Sequence, residues 1–126
     1  MKFMMLVTSP ESSGPPPQAL MDAIAKLGQD AAKRGTLVEQ GGLLPSAMGA
    51  RVKVARGKVS VIDGPFTEAK ELVGGYAVFK VNSRKEAIEE AQRFMDVHRL
   101  HWPGWEGHTE VRQIFDAADF APPGRT

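Results

Sequence analysis

The chain of 126 residues contains no cysteine, which removes disulfide bonds, thiol nucleophiles and thiolate metal sites together. A reducing, cytoplasmic location is the expectation that fits this composition. An excess of one charge is missing too: sixteen Lys and Arg face fifteen Asp and Glu, for a net +1, and the two signs are interleaved along the chain. Nucleic-acid binders work through a basic face that releases counterions from phosphates, and neither nucleic acid nor a membrane is an expected partner. Long hydrophobic runs are lacking. The apolar start Phe3-Met4-Met5-Leu6-Val7 stops at Thr8-Ser9-Pro10, too short to cross a bilayer and without a following cleavage site, so it reads as a first strand. There is no glycine-rich phosphate loop, no Gly-x-Ser-x-Gly elbow and no dinucleotide fingerprint, because Gly41-Gly42 lies in a strand and opens no helix. NAD, ATP and serine-hydrolase chemistry are disfavoured, and no cofactor is expected.

What is present has the balance of one globular domain, 42% hydrophobic and 25% charged, at a length that can bury an ordinary core. Residues 2–8 predict a central strand. Pro17 suits a first helical position, Leu20, Ile24, Leu27 and Ala31 recur at helical spacing, and Gly35 ends the helix. Thr36 to Leu44 reads as a second strand, with Gly41-Gly42 marking a bulge or a close backbone approach. Residues 50–55 and 58–62 alternate around Arg56-Gly57 as a β-hairpin. A long strand follows from Glu71 to Val81. Asn82-Ser83 with Glu86 forms a capping box ahead of a second helix whose buried stripe is Ala87, Ile88, Ala91, Phe94 and Met95. Thr109 to Phe115 is the last strand. The domain is expected to span residues 1–116, with 117–126 a loose tail.

The order strand, helix, strand, hairpin, strand, helix, strand predicts an α+β fold of ferredoxin-like type: an antiparallel sheet with two helices on one face and an inserted β-hairpin. The other sheet face then needs cover, and a homodimer supplies it.

The densest group of special residues is Asp63-Gly64-Pro65-Phe66-Thr67-Glu68-Ala69-Lys70-Glu71. Asp63 can accept a backbone N–H further on, Gly64 tolerates unusual dihedrals and Pro65 presets its own, so a rigid turn is specified. Phe66 is expected to anchor it in the core. The turn delivers Glu68, Lys70 and Glu71 in quick succession, and Tyr76 follows on the next strand.

With Gly74-Gly75-Tyr76, Gly41-Gly42-Leu43 and Glu110-Val111-Arg112, these residues closely resemble the YCII-related family in its DGPF-type branch. The resemblance covers the chain up to about Phe115 and implies a dimeric α+β barrel in which two protomers pack sheet to sheet, each with a cleft. It also implies a stand-alone protein of unassigned activity, in a branch associated by genomic context with extracytoplasmic-function sigma factors. Other YCII-related members carry a histidine near the first helix paired with an aspartate, a dyad proposed as catalytic. This chain has no histidine before His98, so the dyad does not carry over.

Two functional classes follow. In one, the chain binds a small polar molecule in a cleft near Asp63 to Glu71, with Asp63, Gly64, Pro65, Phe66 and Glu71 as the ligand grip. If it is a cofactor-independent lyase- or isomerase-like enzyme, Asp63, Glu68, Lys70 and Tyr76 are the candidates for proton transfer. In the other class it is a regulatory or interaction module linked to transcription, and the same residues are scaffold. Beside these readings stand blander ones: Asp63 as a turn cap, Glu68, Lys70 and Glu71 as a solvated charge cluster, Tyr76 at the wet edge of the core. His98, His101 and His108 are close in sequence, but a helix C-terminus favours histidine without a metal, and no metal site is expected.

Overall fold

A computed structural model describes residues 1–66 and 71–120. Its elements in chain order are β1 (Lys2–Ser9), α1 (Gln18–Lys33), β2 (Leu37–Gly42), β3 (Ala50–Ala55), β4 (Lys58–Asp63), β5 (Leu72–Lys80), α2 (Arg84–His101), β6 (His108–Gln113) and a single helical turn, α3 (Ala117–Phe120). The tail beyond Phe120 lies outside the described residues. No helix among the described residues is long and apolar enough to cross a membrane.

The boundaries come from local chemistry. Pro17 sits at the N-cap of α1, and Gly35 ends it with a φ of 73° while its N–H reaches the Ala32 carbonyl, a conformation glycine adopts without a side-chain clash. At the start of α2 the capping box is closed from both sides: Glu86 N–H donates to Ser83 Oγ at 3.1 Å and Asn82 N–H to the Glu86 carboxylate at 2.8 Å. The hairpin turns on Arg56 and Gly57, both with positive φ, as a two-residue turn matched to strand twist requires.

β1, β2, β5 and β6 form one antiparallel sheet in the order β2-β5-β1-β6. Phe3, Met5 and Val7 of β1 are buried with Ala77, Phe79 and Val81 against Ala87 and Ala91 of α2. Leu27 and Ala31 of α1 border one small cavity with Leu37, Phe79 and Phe94, so both helices lie on that face. The apolar run of β1 predicts cover on both faces, but burial alternates along it: Met4, Leu6 and Thr8, on the second face, are only half-buried. The irregularity in β2 falls between Leu37 and Glu39, whereas Gly41 marks a close approach, since a β-carbon there would lie 3.0 Å from the Tyr76 ring.

Glu90 ties the helices together. It is buried on α2, and its Oε1 accepts from Arg34 at 2.9 Å and Arg93 at 2.8 Å. Two guanidinium groups answer one buried carboxylate, which removes the cost of burying it alone.

β3 and β4 pair only with each other, as a separate ribbon. Glu11, in a single 3-10 turn after β1, accepts from Ser46 N–H and from Ser46 Oγ (2.9 Å); Ser46 Oγ in turn accepts from Phe66 N–H at 3.2 Å. Gly64 N–H closes the base of the ribbon on the Gly49 carbonyl at 2.9 Å.

Candidate functional site

The Asp63-Gly64-Pro65-Phe66 turn leaves β4 with a cis Gly64–Pro65 bond and lies against residues 46–49. Gly64 is required by close approach: a β-carbon would fall on the Ser46 carbonyl oxygen and 2.6 Å from its carbon. Asp63 is exposed, and its side chain makes no hydrogen bond among the described residues. Phe66 departs from the expectation. It is half-buried outside the main core, with the Arg51 guanidinium 4.3 Å above its ring, so a cation–π contact rather than core burial holds it. Glu68 and Lys70 lie outside the described residues.

Tyr76 lies on β5 and Glu71 just ahead of it. Tyr76 is on the face away from the helices, where its hydroxyl donates to Glu39 at 2.8 Å. That bond, with a smaller effect of burial, raises the phenol pKa above its usual value, away from the range useful for neutral-pH proton transfer. Glu71 stands just before β5, its Oε2 3.8 Å from His108 Nδ1.

His108 leads to a feature that the sequence motif does not mark. A groove of about 650 Å³ runs between the last turns of α2, the loop after it and the start of β6, lined by Met95, Arg99, Trp102, Trp105, His108 and Thr109 among others. Its volume falls in the range of small-molecule sites, and it is a shallow groove largely open to solvent. The Trp102 and Trp105 rings stack at 5.9 Å, and Trp105 rests against His98 at 4.7 Å. Gly107 makes room for the Trp105 ring, since a β-carbon there would overlap it and lie 2.8 Å from the Thr8 carbonyl oxygen. Trp105 Nε1 and Thr109 Oγ1 are buried without a hydrogen-bond partner among the described residues. Both residues line this groove. Arg99 and Asp96, 3.4 Å apart and well exposed, put charges of both signs on the rim. Of the expected ligand residues, Glu71 alone comes near it, through His108, and does not itself line the groove. Its sequence signal is local, Trp102-Pro103-Gly104-Trp105 between two histidines, and reads equally as a contact surface or as a cap on the core.

The three histidines have different surroundings. His98 is buried, with Nδ1 2.9 Å from the Phe94 carbonyl, which only accepts, so Nδ1 carries the proton of the neutral ring. His101 is exposed and His108 faces Glu71. No group of three or more His, Asp or Glu suited to a metal ion occurs among the described residues. Burial lowers the His98 pKa, partly offset by the bond to Phe94. A histidine depressed in the folded state favours folding fully above its unfolded pKa, about 6.5, and loses that contribution as pH falls through 6.5 toward the folded value. Urea midpoints across this interval are expected to drop more steeply for the wild type than for His98→Gln. Parallel curves would show that His98 does not titrate differently on folding.

No curated protein matches the chain. A family model for the YCII-related domain matches residues 1–117, nearly all of the described structure and every element of the sheet, and on that match the chain belongs to the YCII-related family.

Proposed function

We propose that this protein binds a small, flat, polar molecule in the groove between the end of α2 and the start of β6, with Glu71 and His108 at its edge. The observation that carries the reading is the groove itself: an aromatic wall of two tryptophans, with Arg99, Asp96 and His108 around it. Stacking on tryptophan supplies contact area, and the charged rim orients polar substituents. This places the ligand beside the end of the Asp63 to Glu71 segment instead of inside its turn, which then serves as scaffold. The Glu71–His108 approach favours one further reading, a cofactor-independent enzyme in which a carboxylate and an imidazole relay a proton at the groove's edge.

The chain is further proposed to fall in the DGPF-type branch, to be ferredoxin-like and cytoplasmic, and to form a homodimer as a dimeric α+β barrel. The strand order β2-β5-β1-β6 and the half-buried Met4, Leu6 and Tyr76 on the face away from the helices support the fold and the dimer.

Thermal-shift screening of small polar and aromatic acids tests the binding. At a hundred times its dissociation constant a ligand stabilises the fold by roughly 2.7 kcal/mol, which raises Tm by several degrees in a domain of this size. Arg99→Ala is expected to abolish the shift and leave the apo Tm nearly unchanged, because the Arg99–Asp96 pair is exposed and such pairs contribute little. Hits that shift Arg99→Ala and Trp102→Ala as much as the wild type would place the ligand elsewhere.

A further inference from the structure

His98 stands in the last turn of α2, 5% exposed, with its ring 4.7 Å from both the Phe94 ring and the Trp105 ring. Phe94 belongs to the same helix and stays with it. Trp105 belongs to the loop between α2 and β6, within which the described residues make one backbone hydrogen bond, Trp105 N–H to the Trp102 carbonyl at 3.1 Å. Of the groups that cover His98, this loop is the one free to move.

The loop is also costly where it sits. Trp105 Nε1 and Thr109 Oγ1 are buried without a partner among the described residues, and a buried polar group left unpaired costs free energy that water would return. A further proton on His98 adds a third such group. Nδ1 already holds the proton given to the Phe94 carbonyl, so the new one binds Nε2 and makes a buried cation.

No titratable side chain faces that cation from the sheet, where the helix side of β1, β5 and β6 carries Phe3, Met5, Val7, Ala77, Phe79, Thr109, Val111 and Gln113. On α2, His101 is exposed, Asp96 and Arg99 pair with each other at the surface, and Glu90 is taken by Arg34 and Arg93. Glu106 in the loop is exposed, as are Asp22, Lys26, Asp30 and Lys33 of α1. Burial lowers the His98 pKa, and the bond to the Phe94 carbonyl opposes it.

We propose that the loop from Trp102 to Gly107 is a proton-operated latch: neutral His98 seats Trp105 and keeps the aromatic wall of the groove in place, and protonation at Nε2 lifts Trp105 away. Opening lets water reach the imidazolium, Trp105 Nε1 and Thr109 Oγ1 together, and local opening of a loop costs less than unfolding the domain. Because the closed form holds the histidine neutral, it is favoured above the ordinary histidine pKa of about 6.5 and gives way as pH falls through 6.5 toward the lower value of the closed form. The consequence for a ligand rests on the groove reading above: one that needs the closed wall loses about tenfold in affinity for each pH unit below the His98 midpoint.

Tryptophan emission and acrylamide quenching, followed from pH 8 to pH 5 without any ligand, test the latch. The wild type is expected to show a reversible red shift and stronger quenching, with circular dichroism unchanged. His98→Gln is expected to keep its pH 8 emission throughout, and His108→Gln to retain the transition. A flat wild-type profile, a transition that survives in His98→Gln or disappears in His108→Gln, or a parallel loss of helix signal would overturn the proposal. A flat profile beside normal ligand shifts in Tm at pH 7.5 removes the latch and leaves the groove; a transition in a protein that binds nothing in the screen does the reverse.

Should His98→Gln not fold, the Cε1 proton resonance of His98 in the wild type replaces it. Its titration is expected to share the emission midpoint. A different midpoint, or one above 6.5 because the two rings hold the imidazolium in its seat, would equally overturn the latch.

Discussion

Gly64→Ala is expected to be among the most damaging single-methyl changes in this chain. The added β-carbon would occupy the position of the Ser46 carbonyl oxygen, and both partners are backbone, so neither a rotamer change nor a flexible side chain can relieve the overlap. The two segments must separate. That breaks the Gly64–Gly49 hydrogen bond and disturbs the Ser46 hydroxyl, which joins Glu11 to Phe66. Forcing atoms into a filled site costs about 1–3 kcal/mol, and more where the backbone has to move. Asp63→Asn alters an exposed side chain with no hydrogen bond among the described residues, and changes of that kind stay within about 0.5 kcal/mol. Urea denaturation of the two variants is expected to separate them clearly. Equal midpoints would mean that the turn does not rest on residues 46–49.

Gly107→Ala is expected to destroy the groove as well as destabilise the fold. A β-carbon there overlaps the Trp105 ring on one side and presses on the Thr8 carbonyl on the other, and that backbone cannot retreat without disturbing the pairing of Thr8 with His108. Trp105 must therefore leave its seat against His98. The overpacking cost is again about 1–3 kcal/mol, with a second signature: displaced tryptophan meets water and its fluorescence moves to the red. Ligand-induced shifts in Tm should vanish. A Gly107→Ala protein with wild-type emission and wild-type response to ligands would contradict the packing described for Trp105.

Much of this architecture is readable from local patterns, because local chemistry decides it. Pro17 and Gly35 bound α1, Ser83 and Glu86 cap α2, and Arg56-Gly57 permits a single kind of hairpin turn. The site was less legible. The Asp63 to Phe66 motif draws attention to itself, but what it touches is set by residues far off in sequence: no pattern links Glu11 to Ser46 or Ser46 to Phe66. Phe66 is apolar, which predicts core burial, yet an aromatic ring can be covered as well by a guanidinium, and Arg51 does so. The groove is contiguous in sequence, from Met95 to Thr109, but composition does not say whether two tryptophans cap a core or wall a cleft. That depends on Gly107 and on the turn of the chain after Trp102. Charge counted over the whole chain also conceals the β3–β4 ribbon, whose four cations, Arg51, Lys53, Arg56 and Lys58, cancel against acids elsewhere.

The central claim is that a ligand binds between α2 and β6, and the chain carries its own reporter of that event. Its only two tryptophans, Trp102 and Trp105, both line the groove, so tryptophan emission reads this site above all others. Titration of a thermal-shift hit is predicted to give a saturable change in intensity or wavelength whose dissociation constant equals that from the concentration dependence of Tm. Unchanged emission at ligand concentrations that fully raise Tm would put the binding site away from Trp102 and Trp105 and contradict the account.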